Sequence, residues 1–203
     1  TDKHPIIKGV LKTYWGTLRD ERKIDFELIL FCAYQLIKKN PSISVLLGSI
    51  FECVLVDEFQ DTREIQYAIL ASILKASQGR VRAFVVGDPN QAIYSSLGGY
   101  AITAADFGAQ CGIQFKEMEL VDNYRSSSRI VGYFGNYNVF ASKIEAVGHN
   151  KDYASVVSFD QQTHRDGLEA GLGRLVKYNV ETQGIAAHEV CIVARRWVHL
   201  ASM

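Results

Sequence analysis

The sequence has no excess of charge, no paired cysteines and no long apolar run. Its 22 basic and 22 acidic residues balance, so overall charge gives no support for nucleic-acid binding, which a local patch would still allow. The cysteines lie far apart, at Cys32, Cys53, Cys111 and Cys191, as is typical of reduced, mostly buried cysteines. Neither a secretory signal nor an apolar run of transmembrane length is present. We therefore expect a cytoplasmic protein with no membrane partner.

The length of 203 residues is enough for one large domain or two small ones. Apolar residues make up 48% of the chain and charged residues 22%, which is ordinary for a globular protein. The chain opens at Thr1 without an initiator Met and stops at Met203 just after a strand-like run. We interpret it as a piece of a longer protein.

An aliphatic run, Val54-Leu55-Val56, is followed at once by the carboxylates of Asp57 and Glu58. The run predicts a buried strand, and open α/β sheets bind ligands at the carboxyl ends of their strands. One carboxylate can hold Mg²⁺ with bound phosphates, and a second can orient a nucleophilic water. The structural alternative is that the pair merely ends a strand, while Asp61 caps the next helix with Glu64 as its capping-box partner. We expect that structural role for Asp61. This stretch alone does not decide between the functional and the structural role of Asp57 and Glu58.

A helix and a second strand follow. Apolar residues recur at helical spacing from Arg63 to about Ser77, and the run Ala83-Phe84-Val85-Val86 then leads into Gly87 and Asp88. Strand, helix and strand within about thirty residues make a βαβ crossover, which implies parallel strands. Asp57 and Asp88 should then stand at one edge of the sheet, which favours a functional role for the acidic pair.

The remaining segments continue an α/β pattern. Upstream, the apolar spacing predicts a helix from Ile6 to about Arg22 and a second helix capped by Asp25 and ended near Asn40. Downstream we predict a short Ala-rich helix or loop between residues 100 and 110, a strand at Lys116–Val121, a serine-capped helix from about Arg129 to Ala141, a strand at Ser155–Phe159, a helix from about His164 to Tyr178 and a strand at Val190–Ala194.

Two further side chains are candidates for phosphate chemistry. Gln91 lies in a loop with turn chemistry after the second strand, where its amide could donate to a phosphate oxygen or hold a water. Arg125 follows the third predicted strand, and a guanidinium matches phosphate geometry. Taken alone, Gln91 is more simply a solvated loop residue, and Arg125 is more simply a surface arginine.

Three segments in this order carry a family resemblance. They are Val56-Asp57-Glu58-Phe59-Gln60-Asp61-Thr62, Val86-Gly87-Asp88-Pro89-Asn90-Gln91-Ala92-Ile93-Tyr94 and Asn123-Tyr124-Arg125-Ser126-Ser127. With them, the chain resembles the UvrD/Rep family of superfamily 1 DNA helicases. The helix at Ile24-Asp25-Phe26 is also similar to that family, and the resemblance covers most of the chain from there to Arg195.

The resemblance implies an α/β fold built on a RecA-like P-loop NTPase parallel sheet that is partial here. It implies that residues 1–22 end an accessory helical domain. Residues 23–122 would form the later part of the first RecA-like domain, and residues 123–203 would begin the second.

The resemblance also assigns roles in a nucleotide site. The acidic strand corresponds to the Walker B motif, so Asp57 would help hold Mg²⁺ and Glu58 would activate the water that attacks ATP. Gln91 would sense the γ-phosphate, and Arg125 would contact it from the second domain. Tyr124 would lie against the adenine.

Two departures from the family pattern matter. No G-x-x-x-x-G-K-[ST] stretch occurs in the sequence, so the phosphate-cradling loop and its lysine are absent. The resemblance places Tyr94 beside the single-stranded DNA path, where aromatic rings stack on bases. The aromatic residue and arginine that usually follow are replaced by Ser96 and Leu97, which argues against the usual grip on DNA.

We therefore expect a fragment of a UvrD-like ATP-dependent DNA helicase or translocase with a part in DNA repair. The full protein would couple ATP hydrolysis to movement on single-stranded DNA or DNA junctions, with the 3′-to-5′ polarity that the resemblance implies. One alternative is a nucleic-acid-responsive ATPase that partners a nuclease in recombination or phage defence. Another is a non-catalytic interaction module. The fragment itself is expected to be inactive.

Overall fold

The computed structural model describes residues 4–95, 98–156 and 167–194. The predicted α/β class is confirmed, with helices around two short parallel sheets. In chain order, the elements are α1 (Pro5–Asp20), α2 (Phe26–Lys39), α3 (Pro41–Ile50), β1 (Cys53–Val56), α4 (Glu64–Ser77), β2 (Arg82–Val85), α5 (Ala104–Cys111), β3 (Asp122–Asn123), α6 (Ser128–Gly135), β4 (Glu145–Ala146) and α7 (Leu168–Glu181). Within these described ranges, no helix is both long and apolar enough to cross a membrane.

The β1–α4–β2 crossover is the centre of the fold. β1 and β2 pair in parallel, with Cys53 opposite Arg82 and Val56 opposite Val85, as the sequence predicts. Pairing continues past the strands, because the Val86 N–H donates to the Val56 carbonyl at 2.8 Å and the Phe59 N–H donates to the Val86 carbonyl at 3.1 Å. Both strands therefore deliver the residues that follow them to the same edge of the sheet.

The core lies between one face of this sheet, α4 and α5. The Tyr67 ring is fully buried and meets the Phe107 ring edge-on, with the ring centroids 5.2 Å apart. Its hydroxyl donates to the Phe59 carbonyl, which ties the core to the turn after β1. The buried cluster consists of Tyr67, Ala71, Leu74, Val81, Ile102, Phe107 and Cys111, with Val54, Ala83 and Val85 packed on it from the sheet.

The opposite face of the sheet is exposed. Leu55 and Phe84 are register partners, and their exposed fractions are 73% and 60%. The prediction of fully buried strands is therefore wrong for the described chain, because the core helices cover one face only. The prediction of mostly buried cysteines is also wrong. Only Cys111 is buried, and burial raises the pKa of its thiol to about 11.

The two predicted N-terminal helices are present as α1 and α2, and the structure adds a third helix, α3. Asp25 caps α2 as predicted, since the Leu28 N–H donates to its Oδ1 at 2.7 Å. The Tyr14 hydroxyl of α1 donates to the other Asp25 oxygen at 2.6 Å, and this bond raises the pKa of Tyr14 and lowers that of Asp25. The addition is α3 at Pro41–Ile50, which we do not predict from the sequence.

The predicted cap of α4 is wrong. Arg63 is the N-cap residue, and its N–H donates to the Gln66 side-chain oxygen at 2.9 Å. Asp61 lies earlier, in a 3-10 turn at Phe59–Asp61, so Glu64 has no capping role with it. The Tyr67 hydroxyl of α4 donates to the Phe59 carbonyl at the start of this turn.

The predicted strand at Lys116–Val121 is also wrong. The pairing falls on the two residues of β3, which lie parallel to β4. Met118 and Leu120 are 78% and 79% exposed, so these two apolar side chains of the predicted strand are not packed against a sheet or a core.

The later elements agree with the sequence in part. Ser127 caps α6 by accepting the Ile130 N–H at 3.4 Å, but α6 ends at Gly135 and does not reach Ala141. α7 begins at Leu168 and extends past Tyr178 to Glu181. The predicted start of that helix, and most of the predicted strand at Ser155–Phe159, lie outside the described residues. Val190–Ala194 is not a strand.

Candidate functional site

The acidic pair lies at the carboxyl end of β1 in an unusual backbone conformation. Glu58 has φ 50° and ψ 51°, in the left-handed region. For a residue with a side chain this conformation costs about 1–2 kcal/mol, and such strain clusters at functional sites. The Glu58 N–H donates to Asp57 Oδ1 at 2.9 Å, which orients the Asp57 carboxylate. Both side chains are exposed, so they are open to a ligand.

Gln60 bridges the ends of the two strands. Its side chain is only 2% exposed, and its amide nitrogen donates to Glu58 Oε2 at 2.7 Å. Its amide oxygen accepts the Asp88 N–H at 3.0 Å. Because a buried amide that satisfies both of its ends is held in one orientation, Gln60 fixes Glu58 relative to the loop after β2.

Asp88 continues this network to the loop. Its Oδ1 accepts the Asn90 N–H at 2.9 Å, and its Oδ2 accepts the Gln91 side-chain amide at 2.9 Å. The predicted residues Glu58 and Gln91 are therefore joined through Gln60 and Asp88. Sequence reasoning did not assign a role to Gln60. Its position two residues after the acidic pair is the one signal that could have pointed to it.

Gly87 allows the two strand ends to approach. A Cβ atom placed there would lie 2.3 Å from the Gln60 amide oxygen and 2.7 Å from the Phe59 nitrogen. Any larger residue would push Gln60 away from Asp88. Close approach is thus the reason for glycine at this position.

Asp57 fits a magnesium site of the kind that nucleotides complete. Within the described ranges, no three His, Cys, Asp or Glu side chains are grouped so that they alone could hold a metal. Mg²⁺ in phosphate-binding sites keeps several waters and takes one or two protein carboxylates besides the phosphates. One exposed carboxylate held by a backbone N–H is compatible with that chemistry.

Arg125 and Tyr124 are presented by a separate turn. The Asn123 side-chain oxygen accepts the N–H groups of Arg125 and Ser126 at 3.0 and 2.8 Å, which makes an Asx turn. Tyr124 is 68% exposed, and Arg125 is exposed too. In the parts of the chain that the structure describes, no hydrogen bond or ion pair joins the Arg125 guanidinium to the Glu58 network. The structure therefore links Asp57, Glu58 and Gln91 in one network, and among the described residues it shows no bond from that network to Tyr124 or Arg125.

Tyr94 lies beyond the loop, with 47% of its surface exposed. Its carbonyl accepts the Gly99 N–H at 2.9 Å, which closes a turn. Ser96 and Leu97, the two departures from the family pattern, lie outside the described residues.

Comparison with known proteins connects this geometry to a family. Residues 1–108 match the family model of the UvrD/REP helicase N-terminal domain. The ATP-dependent DNA helicase SRS2 of Saccharomyces cerevisiae is 34% identical over 119 residues, which are 58% of this chain and 10% of that protein. A probable DNA helicase II homolog of Mycoplasma capricolum is 30% identical over 151 residues, 73% of this chain and 20% of that protein. An ATP-dependent helicase/nuclease subunit of Pelotomaculum thermopropionicum is 32% identical over 146 residues, 63% of this chain and 12% of that protein. The chain thus spans a fifth or less of each of these relatives.

Proposed function

Because this chain belongs to the UvrD/Rep helicase family, we propose that it carries the acidic edge of an ATPase site that drives movement on single-stranded DNA. ATP is the proposed substrate and Mg²⁺ the proposed cofactor. In this proposal β1 and β2 belong to a RecA-like sheet. Residues 1–22 end an accessory helical domain, residues 23–122 complete the first RecA-like domain, and residues 123–203 begin the second.

The hydrogen-bonded network from Glu58 to Gln91 is the observation that carries the proposal. Glu58 accepts the proton of the attacking water through the carboxylate that Gln60 holds in place. Asp57 is the ligand of Mg²⁺, which neutralises phosphate charge when it is bound. Gln91 has one amide N–H on Asp88, so its second N–H remains to donate to a γ-phosphate oxygen, and its oxygen remains to accept from the attacking water.

Arg125 and Tyr124 complete the site from the second domain. Their exposure and their rigid Asx turn suit them to a surface that meets nucleotide when the two domains approach. Arg125 contacts the γ-phosphate, where its planar fork matches the phosphate oxygens, and Tyr124 lies against the adenine. Tyr94 borders the path of the single strand and stacks on a base.

Replacement of Glu58 by Gln in the full-length protein tests the proposed base. The change keeps the shape of the side chain and removes its basicity, so ATP hydrolysis should fall by about 10²–10⁴-fold while ATP binding survives. Glu52→Gln is the matched control, because this exposed glutamate precedes β1 at the opposite end of the strand. An ATPase rate for Glu58→Gln within a few-fold of the wild-type rate would remove Glu58 from the mechanism.

A nuclease-partnered ATPase is the second candidate, favoured by the similarity to a protein named as a helicase/nuclease subunit. The discriminating measurement is duplex unwinding by the full-length protein alone, on a substrate with a 3′ single-stranded tail. Unwinding supports the helicase with 3′-to-5′ polarity. DNA-stimulated ATP hydrolysis without unwinding supports the nuclease-partnered ATPase.

A further inference from the structure

The side chain of Asn90 forms hydrogen bonds with the backbone of a segment about fifty residues further along the chain. Its Oδ1 accepts the N–H groups of Val139 and Phe140, both at 2.9 Å. Its Nδ2 donates to the Phe140 carbonyl at 3.1 Å. One amide thus makes three hydrogen bonds to two consecutive residues, and it does so independently of their side chains.

These bonds join two units that otherwise pack mainly within themselves. α2, α3, α4 and α5 pack on one another beside β1 and β2, whereas α6 packs on β4 beside β3. Asn90 is half-buried in the 3-10 turn Pro89–Gln91, at the edge that carries the Glu58 network. Val139 and Phe140 are 85% and 55% exposed, so burial of their side chains does not hold them there.

The Asn90 side of this contact is connected to the candidate nucleotide site. Its own N–H donates to Asp88, whose other oxygen holds the Gln91 amide. The Gln91 N–H donates to the Asp88 carbonyl at 2.9 Å, so the turn is closed on itself. A shift of Gln91 toward a phosphate would therefore carry Asn90 with it.

The other side of the contact is connected to Arg125. The segment at Val139 and Phe140 follows α6 through a turn in which the Tyr137 N–H donates to the Phe134 carbonyl at 2.9 Å. α6 begins only three residues after Arg125 and is capped by Ser127. Whatever moves residues 139–140 thus acts on the same helical unit that presents Arg125.

We infer that Asn90 is a positioning residue that couples the Gln91 loop to the unit carrying Arg125. We call the three hydrogen bonds from Asn90 to residues 139–140 the latch. Through the latch, nucleotide bound at the β1–β2 edge determines the position of Arg125. The inference rests on the proposed function, since it assigns Asn90 a part in the same ATPase site. It does not place Asn90 in contact with substrate.

A double-mutant cycle in the full-length protein tests the latch. Asn90→Ala removes all three bonds, so kcat of DNA-stimulated ATP hydrolysis should fall at least about tenfold, a loss equivalent to about one net hydrogen bond, while KM for ATP stays nearly unchanged. Because Asn90 acts through Arg125, adding Asn90→Ala to Arg125→Lys should cause little further loss. Asn150→Ala is the control, an exposed asparagine in the same unit as residues 139–140, and its kcat should match the wild type.

The possible results separate the latch from the proposed function. Additive losses in the cycle, or a wild-type kcat for Asn90→Ala, would overturn the latch. If Glu58→Gln and Arg125→Lys both leave hydrolysis unchanged, the proposed function fails instead.

Hydrogen exchange tests the contact itself in the wild-type protein, so the test does not depend on whether a variant folds. The amides of Val139 and Phe140 are bonded to Asn90, so a peptide covering residues 137–141 of the wild-type full-length protein should exchange slowly. Addition of ATP analogue and Mg²⁺ should change that rate. Exchange at the rate of an unprotected peptide would overturn the latch, and so would a rate that does not respond to nucleotide.

Discussion

Small polar side chains, more than the large apolar ones, set the geometry of the candidate site. Gln60 and Asn90 each use a carboxamide to hold chain segments that are distant in sequence, and Asn123 uses another to shape the turn at Arg125. A carboxamide can do this because it carries both donors and acceptors and remains neutral. Since their partners are largely backbone groups, the contacts tolerate sequence change nearby.

Arg125 provides a testable prediction for a single residue. Arg125→Lys keeps the charge and loses the planar fork, so it should lower ATP hydrolysis by at least about tenfold if the guanidinium meets phosphate. The side chain is exposed, and its replacement should therefore leave the melting temperature near that of the wild type. ATPase assays and thermal melting of the full-length protein check both statements. A lower melting temperature with normal hydrolysis would make Arg125 a structural residue.

At the scale of elements, the sequence predicts the helices and strands whose apolar pattern lies within the element itself. β1 and β2 are short apolar runs and α4 has helical periodicity, and the parallel pairing of the two strands follows from the crossover. The strand at Lys116–Val121 fails because a strand also needs a neighbour. Only the position of Gln60 beside the acidic pair pointed to its role, since its burial depends on how closely Gly87 lets β2 approach. Glu58 and Gln91 are linked through Gln60 and Asp88, because the crossover brings the two strand ends to one edge.

α4 offers a test of how the core supports the site. The Tyr67 hydroxyl donates to the Phe59 carbonyl, in the turn that holds Gln60. Tyr67→Phe should cost about 1 kcal/mol of stability and loosen this turn, so that the melting temperature and the ATPase rate of the full-length protein both fall. Tyr153→Phe is the control, because Tyr153 is 58% exposed. Equal effects of the two changes would show that the bond is unimportant.

For the molecule as a whole, the chain carries one edge of the proposed nucleotide site and lacks the sequence of its phosphate cradle. The sequence lacks the glycine-rich loop and lysine that surround phosphates, and the sheet face bearing Leu55 and Phe84 is open. We therefore expect the 203-residue chain alone to bind ATP with Mg²⁺ weakly and to hydrolyse none at a meaningful rate. Calorimetric titration of the chain, beside the full-length protein, measures this. Micromolar binding, or turnover abolished by Asp57→Ala, would reveal a complete site in this chain.

The left-handed backbone at Glu58 also constrains how this protein can evolve. Glycine or asparagine adopts that conformation at little cost, so either replacement would recover about 1 kcal/mol of stability. While hydrolysis is under selection, the glutamate is retained against this gain. A descendant that had given up hydrolysis would be under the opposite pressure, and drift at position 58 should favour those two residues. With Glu58 as the proposed base, we expect residue 58 to differ between relatives that hydrolyse ATP and relatives that have lost hydrolysis.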